Sequence, residues 1–80
     1  MNKYKVKFQA TCPVNGDAID YSLEISREQM IKVESLLEVV GEFTSGFHED
    51  FADLLHKKFG GRQLMVAIHG GVIVETERGI

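Results

Sequence analysis

The apolar pattern of this 80-residue chain changes period twice, from about 2 to about 3.6 and back. That ordering confines the fold to strands at both ends with helices between them. Tyr4, Val6, Phe8, Ala10 and Cys12 alternate with Lys3, Lys5, Lys7, Gln9 and Thr11, as in a strand with one buried face. Pro13 ends the strand, because it has no N–H to give the ladder. Asn15-Gly16 is a hairpin signal, since both residues tolerate positive φ. A second strand then puts Ile19, Tyr21, Leu23 and Ile25 on one face and Asp20, Ser22 and Glu24 on the other.

Helical spacing follows. Ser26 and Gln29 have the spacing of a capping box, ahead of Met30, Val33, Leu36, Leu37, Val40 and Phe43. Thr44-Ser45-Gly46 breaks this helix. Phe47, Phe51, Leu54, Leu55 and Phe59 form a second stripe, which Gly60-Gly61 terminates. Leu64, Val66 and Ile68 read as a third strand and Gly70-Gly71 as a tight turn. Val72, Val74 and Thr76 alternate with Ile73, Glu75 and Glu77 as a fourth strand.

The expected fold is therefore α+β, with residues 1–80 as one domain of ββααββ order. Two hairpins join into one four-stranded antiparallel sheet, and both helices pack on one face. The other face is expected to hold Lys3, Lys5, Lys7, Asp20, Glu24, His69 and Glu75. A chain this short buries only about 60% of its unfolded surface, so it is short of core. Cys12 is the sole cysteine, which excludes a disulfide framework and fits a reducing, cytoplasmic setting. Self-association is the remaining source of burial, and the two open sheet edges invite it. No run is apolar enough for a signal peptide or a membrane span, and no membrane partner is expected. Net charge is −3, and the three alternating lysines read as a solvated face rather than a nucleic-acid footprint.

Few residues are equipped for chemistry. Cys12 ends a strand beside a turn. It reads either as a small buried hydrophobe or as a nucleophile activated by a nearby cation or dipole. His48-Glu49-Asp50 opens the second helix, where acids ordinarily complement the dipole. Glu49 there could equally accept two parallel N–H bonds from the amidine edge of a guanine-like ring. His56 reads as a surface residue and His69 as a strand end. Cys12, His48 and His69 match no zinc spacing, so no metal is expected. Asp17 and Asp20 flank the first hairpin as turn residues or proton donors.

Three segments together resemble one family. Cys12-Pro13-Val14-Asn15-Gly16 followed by an acid is similar to the Cys-Pro-x-Thr-Gly segment of the QueF nitrile reductases. Phe47-His48-Glu49-Asp50 resembles their Phe-His-Glu-Asp motif, and Gly70-Gly71-Val72-Ile73-Val74 their late Gly-Gly strand. The element order resembles that of the tunnelling fold, or T-fold, which assembles into barrel-like rings with active sites between subunits. The resemblance implies that Cys12 attacks the nitrile carbon of 7-cyano-7-deazaguanine and forms a thioimide. It implies that Glu49 anchors the deazaguanine edge and that His48 positions substrate or moves a proton. An acid after the cysteine would protonate the nitrile nitrogen. The implied partner is a deazapurine, free or as a base within nucleic acid.

Two departures shape the expectation. At the family's cysteine-to-acid spacing stands Ile19, so the acid is Asp20 after a one-residue turn insertion, or Asp17, with Asp20 preferred. The reductases' Glu-Ser-Lys-Ser-Leu-Lys type segment, which helps bind NADPH, is matched only by Val33-Glu34-Ser35-Leu36-Leu37, without its lysines. This favours the amidine-forming branch, as in archaeosine formation, with no cofactor. The alternatives are an NADPH-dependent reductase of queuosine biosynthesis and a non-catalytic ligand-binding or structural oligomer.

Overall fold

The protein is described by a computed structural model covering residues 1–80. The elements are β1 Asn2–Thr11, β2 Ala18–Arg27, α1 Val33–Gly41, α2 His48–Phe59, β3 Arg62–His69 and β4 Val72–Arg78. The sheet order is β1-β2-β3-β4, with every neighbouring pair antiparallel. The ββααββ order and the single four-stranded sheet are as the sequence implies. No helix is long and apolar enough to cross a membrane.

Ala10, Ile19, Tyr21, Leu23 and Ile25 from the first hairpin form one side of the core with Met65 and Ala67 of β3. Leu36 and Val40 of α1 and Phe51, Ala52 and Leu55 of α2 close over them. Only 15 of 80 residues are buried, so the core is as thin as the chain length implies.

The helical entry differs from expectation. Ser26 stays in β2, paired with Lys3 and Arg62, and α1 begins at Val33 with no side-chain cap on its first turn. Arg27 is the reason. Its guanidinium donates to the carbonyls of Gln29 at 2.9 Å and Met30 at 3.2 Å, and to that of Phe59. Carbonyls held by a side chain do not need a helical partner. The Ile31 N–H also donates to the Tyr4 hydroxyl at 2.9 Å, which ties the extended segment to β1. Met30, placed on the helical stripe by its spacing, is 71% exposed.

The first turn is wider than a two-residue hairpin. The Gly16 N–H donates to the Cys12 carbonyl at 2.9 Å, and the Cys12 N–H donates to the Asp17 carbonyl at 2.8 Å. Asn15 accepts the Asp17 N–H on its own side-chain oxygen at 3.0 Å, and only Gly16 takes positive φ.

The inward face of β3 is Gln63, Met65 and Ala67, while Leu64, Val66 and Ile68 lie on the open face. Both alternating sets contain apolar residues, so period alone does not choose between them. Pairing with β2 does, because Leu23 stands opposite Met65 and Tyr21 opposite Ala67. Gln63 is buried because its amide donates to the carbonyls of Leu55 at 3.1 Å and Gly60 at 2.7 Å, capping the end of α2. The same parity moves His69 from its expected place on the open face to the helix side.

Gly61 has φ of 72°, and a Cβ there would stand 2.7 Å from the Ser26 carbonyl oxygen and 2.9 Å from the Arg27 Cβ. Gly70 has φ of 59° but open space around it. Gly61→Ala is expected to cost about 2–3 kcal/mol in urea unfolding, and Gly70→Ala about 1 kcal/mol. Equal losses would contradict the close approach of Gly61 to β2.

Candidate active site

Two backbone links create the site. The Thr11 N–H donates to the Thr44 carbonyl at 2.9 Å, and the Gly46 N–H donates to the Thr11 carbonyl at 3.3 Å. They fasten the α1–α2 loop to the end of β1, which brings the start of α2 beside Cys12. Gly46 permits this because a Cβ there would lie 2.7 Å from the Phe51 ring.

The result is a cavity of about 120 Å³. Its walls are Cys12, then Ile19 and Tyr21 of β2, then Gly46, Phe47 and His48, and finally Ala67, His69 and Val74. Cys12 is 4% exposed, and its thiol is free. A larger hollow of about 520 Å³ lies on the open face among Lys5, Lys7, Ser22, Glu24, Leu64 and Val66. It contains no thiol, imidazole or phenol, so chemistry rather than size identifies the smaller cavity as the site.

An aromatic cluster holds the reactive groups in place. Phe8 stacks on Tyr21 at 4.9 Å, Phe51 meets Tyr21 edge-on at 5.5 Å, and the His48 ring lies 5.4 Å from Tyr21. Burial lowers the pKa of His48, outweighing the Met65 backbone and the Glu49 carboxylate, which pull the other way. The imidazole is therefore held toward its neutral, proton-accepting form. Its Nε2 is buried with no partner. Buried polar atoms are ordinarily hydrogen-bonded, so this nitrogen has an open coordination for a ligand. Burial raises the pKa of Tyr21, and the neighbouring Cys12 sulfur adds to the rise. The phenol stays protonated as a donor.

The structure unites Cys12 with His48 and leaves two other candidates elsewhere. Asp20 faces the open side of the sheet, where its Oδ1 accepts the Gln9 amide at 3.0 Å. It cannot share the face of Cys12, because neighbours along a strand point to opposite sides. Ile19 lines the cavity instead. Asp17 meets Cys12 through backbone only, and its side chain is exposed. Glu49 is exposed in the first turn of α2, next to His48 but outside the cavity lining. His56 is half-buried near the carboxyl end of α2, also outside the cavity. His69 joins Cys12 and His48 in the cavity wall, yet no three His, Cys, Asp or Glu side chains cluster closely enough to hold a metal ion. Tyr21 was legible only as an apolar strand residue. Its shared parity with Ile19, facing the end of β1, was the available signal.

A four-stranded antiparallel sheet, covered on one face by two helices inserted between its hairpins, is the QueF-like fold. The crystal structure of the archaeosine synthase QueF-Like in its apo form has this fold. It superposes with a TM-score of 0.68 over 99% of this chain and 93% of that one, at 19% sequence identity. At that identity the likeness establishes the fold. No protein-family model matches the sequence, and no curated protein matches it.

Proposed function

We propose that this protein is a QueF-like enzyme that attacks the nitrile of a 7-cyano-7-deazaguanine, free or within nucleic acid, and converts it to an amidine. One observation carries the reading: Cys12 and His48 line one cavity, in the fold of an archaeosine synthase. His48 takes the thiol proton, the Cys12 sulfur bonds to the nitrile carbon, and the C≡N π bond that breaks leaves its electron pair on nitrogen. Protonation of that nitrogen gives the thioimide. Ammonia then adds to the same carbon, and departure of the Cys12 thiolate leaves the amidine. Neutral His48 suits the first step, because an imidazolium has no lone pair to accept the thiol proton.

A cavity of about 120 Å³ is too small for a deazaguanine ring, so the site needs a second wall. A second copy of the chain is the proposed source. β1 and β4 are unpaired edges, with Lys3, Lys5 and Lys7 on the open face of one and Glu75 and Glu77 on that of the other. Pairing β4 with β1 of the next copy sets glutamates beside lysines, whereas pairing β1 with β1 sets lysines against lysines. Glu49, exposed outside the cavity of its own chain, is then available to a neighbour's.

A non-catalytic ligand-binding oligomer is the second reading. Ile19 in the position of the family's acid favours it. Products distinguish the readings. The protein supplied with 7-cyano-7-deazaguanine, or with RNA containing that base, and ammonia is expected to yield the amidine. NADPH in place of ammonia is expected to yield no amine. Glu49→Ala should weaken binding of the base about 10- to 100-fold, the effect of losing a charged hydrogen-bond pair. Unchanged binding would remove Glu49 from the site. Binding without any product would favour the second reading.

A further inference from the structure

We infer that the Tyr21 hydroxyl is the proton donor to the nitrile nitrogen, taking the part that a carboxylic acid cannot take in this chain. The inference rests on the nitrile reading and goes beyond it, because that reading leaves the nitrogen without an acid. Ile19 occupies the wall where an acid would serve, and Asp20 and Asp17 both lie outside the cavity. Within the lining, the remaining groups able to give a proton are Cys12, His48, His69 and Tyr21. Cys12 and His48 are engaged in forming the nucleophile. His69 is exposed at the end of β3. Tyr21 alone is both buried and fixed by neighbouring rings.

The placement of Tyr21 needs an explanation that packing does not supply. The residue is 2% exposed and lines the cavity, yet its hydroxyl takes part in none of the side-chain hydrogen bonds of the chain. The other tyrosine, Tyr4, shows the usual arrangement, with its hydroxyl bonded to the Ile31 N–H. A phenylalanine at position 21 would stack on Phe8 and Phe51 equally well, so the ring packing does not require the hydroxyl. Tyr21 thus lines the cavity with a hydroxyl that has no protein partner, beside a thiol and an imidazole whose buried Nε2 is unpartnered.

The proton inventory closes with these groups alone. The thiol proton moves to His48 as the sulfur bonds to carbon. The Tyr21 hydroxyl gives its proton to the nitrile nitrogen, which becomes the thioimide N–H, and tyrosinate remains. The imidazolium of His48, whose ring lies 5.4 Å from that of Tyr21, returns the borrowed proton to the phenolate. Net addition is one thiol S–H across one C≡N bond. Nothing is oxidised or reduced.

The test is the rate of covalent adduct formation with 7-cyano-7-deazaguanine, followed by intact mass for wild type and Tyr21→Phe. The expected result is a rate at saturation lowered by about a hundredfold or more, with the half-saturating concentration within about twofold of wild type. Equal rates would overturn the inference and leave the nitrile reading standing. No adduct with the wild-type protein would sink the nitrile reading itself, and Tyr21 as its proton donor with it. Should Tyr21→Phe fail to fold, tyrosinate absorbance titrations of wild type and Cys12→Ala decide. Tyr21 is expected to ionise at lower pH once the sulfur is gone, and superimposable curves would remove the phenol from the reacting group.

Discussion

Leu55→Ala is expected to destabilise the protein by about 3–5 kcal/mol, the upper part of the range for a buried leucine truncation. Leu55 has no exposed surface, and it sits on α2 over a sheet that supplies one side of a thin core. Its carbonyl also accepts the buried Gln63 amide, so movement of this turn of α2 would unseat a second contact. A domain of this length has a total stability of roughly 4–12 kcal/mol. The single truncation therefore removes between about a quarter and all of it. Leu54, the next residue, is 46% exposed, and Leu54→Ala is expected to cost less than about 1 kcal/mol. Urea unfolding followed by circular dichroism checks the pair. Comparable losses at both positions would mean that α2 is rotated from the face described here.

Cys12→Ala is expected to have the largest functional effect, complete loss of amidine formation, at a stability cost of about 1 kcal/mol. Cys12 is buried like a core residue, yet it belongs to a cavity wall, so alanine removes one sulfur from packing and the sole thiol from the chain. No other side chain in the lining replaces its chemistry. In the proposed reaction His48 and Tyr21 manage protons, and His69 is exposed. Far-UV circular dichroism should coincide with wild type while product falls to background. Retained turnover in a folded Cys12→Ala protein would move the chemistry away from the thiol.

The alternations of Tyr4 to Cys12 and Ile19 to Ile25 are unambiguous because one set is apolar and the other charged or polar. The first hairpin is legible for that reason. β3 is not, since Leu64, Val66 and Ile68 compete with Met65 and Ala67, and only pairing with β2 selects the inner set. That choice places His69, so the site inherited the ambiguity. The start of α1 was hidden for a different reason. Arg27 satisfies carbonyls that a capping box would have left to the helix, and it reaches Phe59, 32 residues away. Long-range side-chain bonds leave no local spacing to read.

The site divides along the same line. Cys12 and His48 were legible because each stands at an element boundary, in a motif of recognisable residue type. Asp20 reads as the acid only through a one-residue insertion past Ile19 at the family spacing, and strand parity puts it on the far face with Gln9. Tyr21 was hidden by the same parity in reverse, since an aromatic residue on the inner face of a strand reads as core. Its distinguishing property, a hydroxyl without a partner, exists only once the chain is folded.

The most direct test of the account is intact mass of the wild-type protein after mixing with 7-cyano-7-deazaguanine, with Cys12→Ala beside it. The account predicts one ligand added per wild-type chain and none on the variant, with the adduct consumed when ammonia is supplied. A folded wild-type protein that stays unmodified in excess ligand would contradict it, and would return Cys12 to the role of a packing residue.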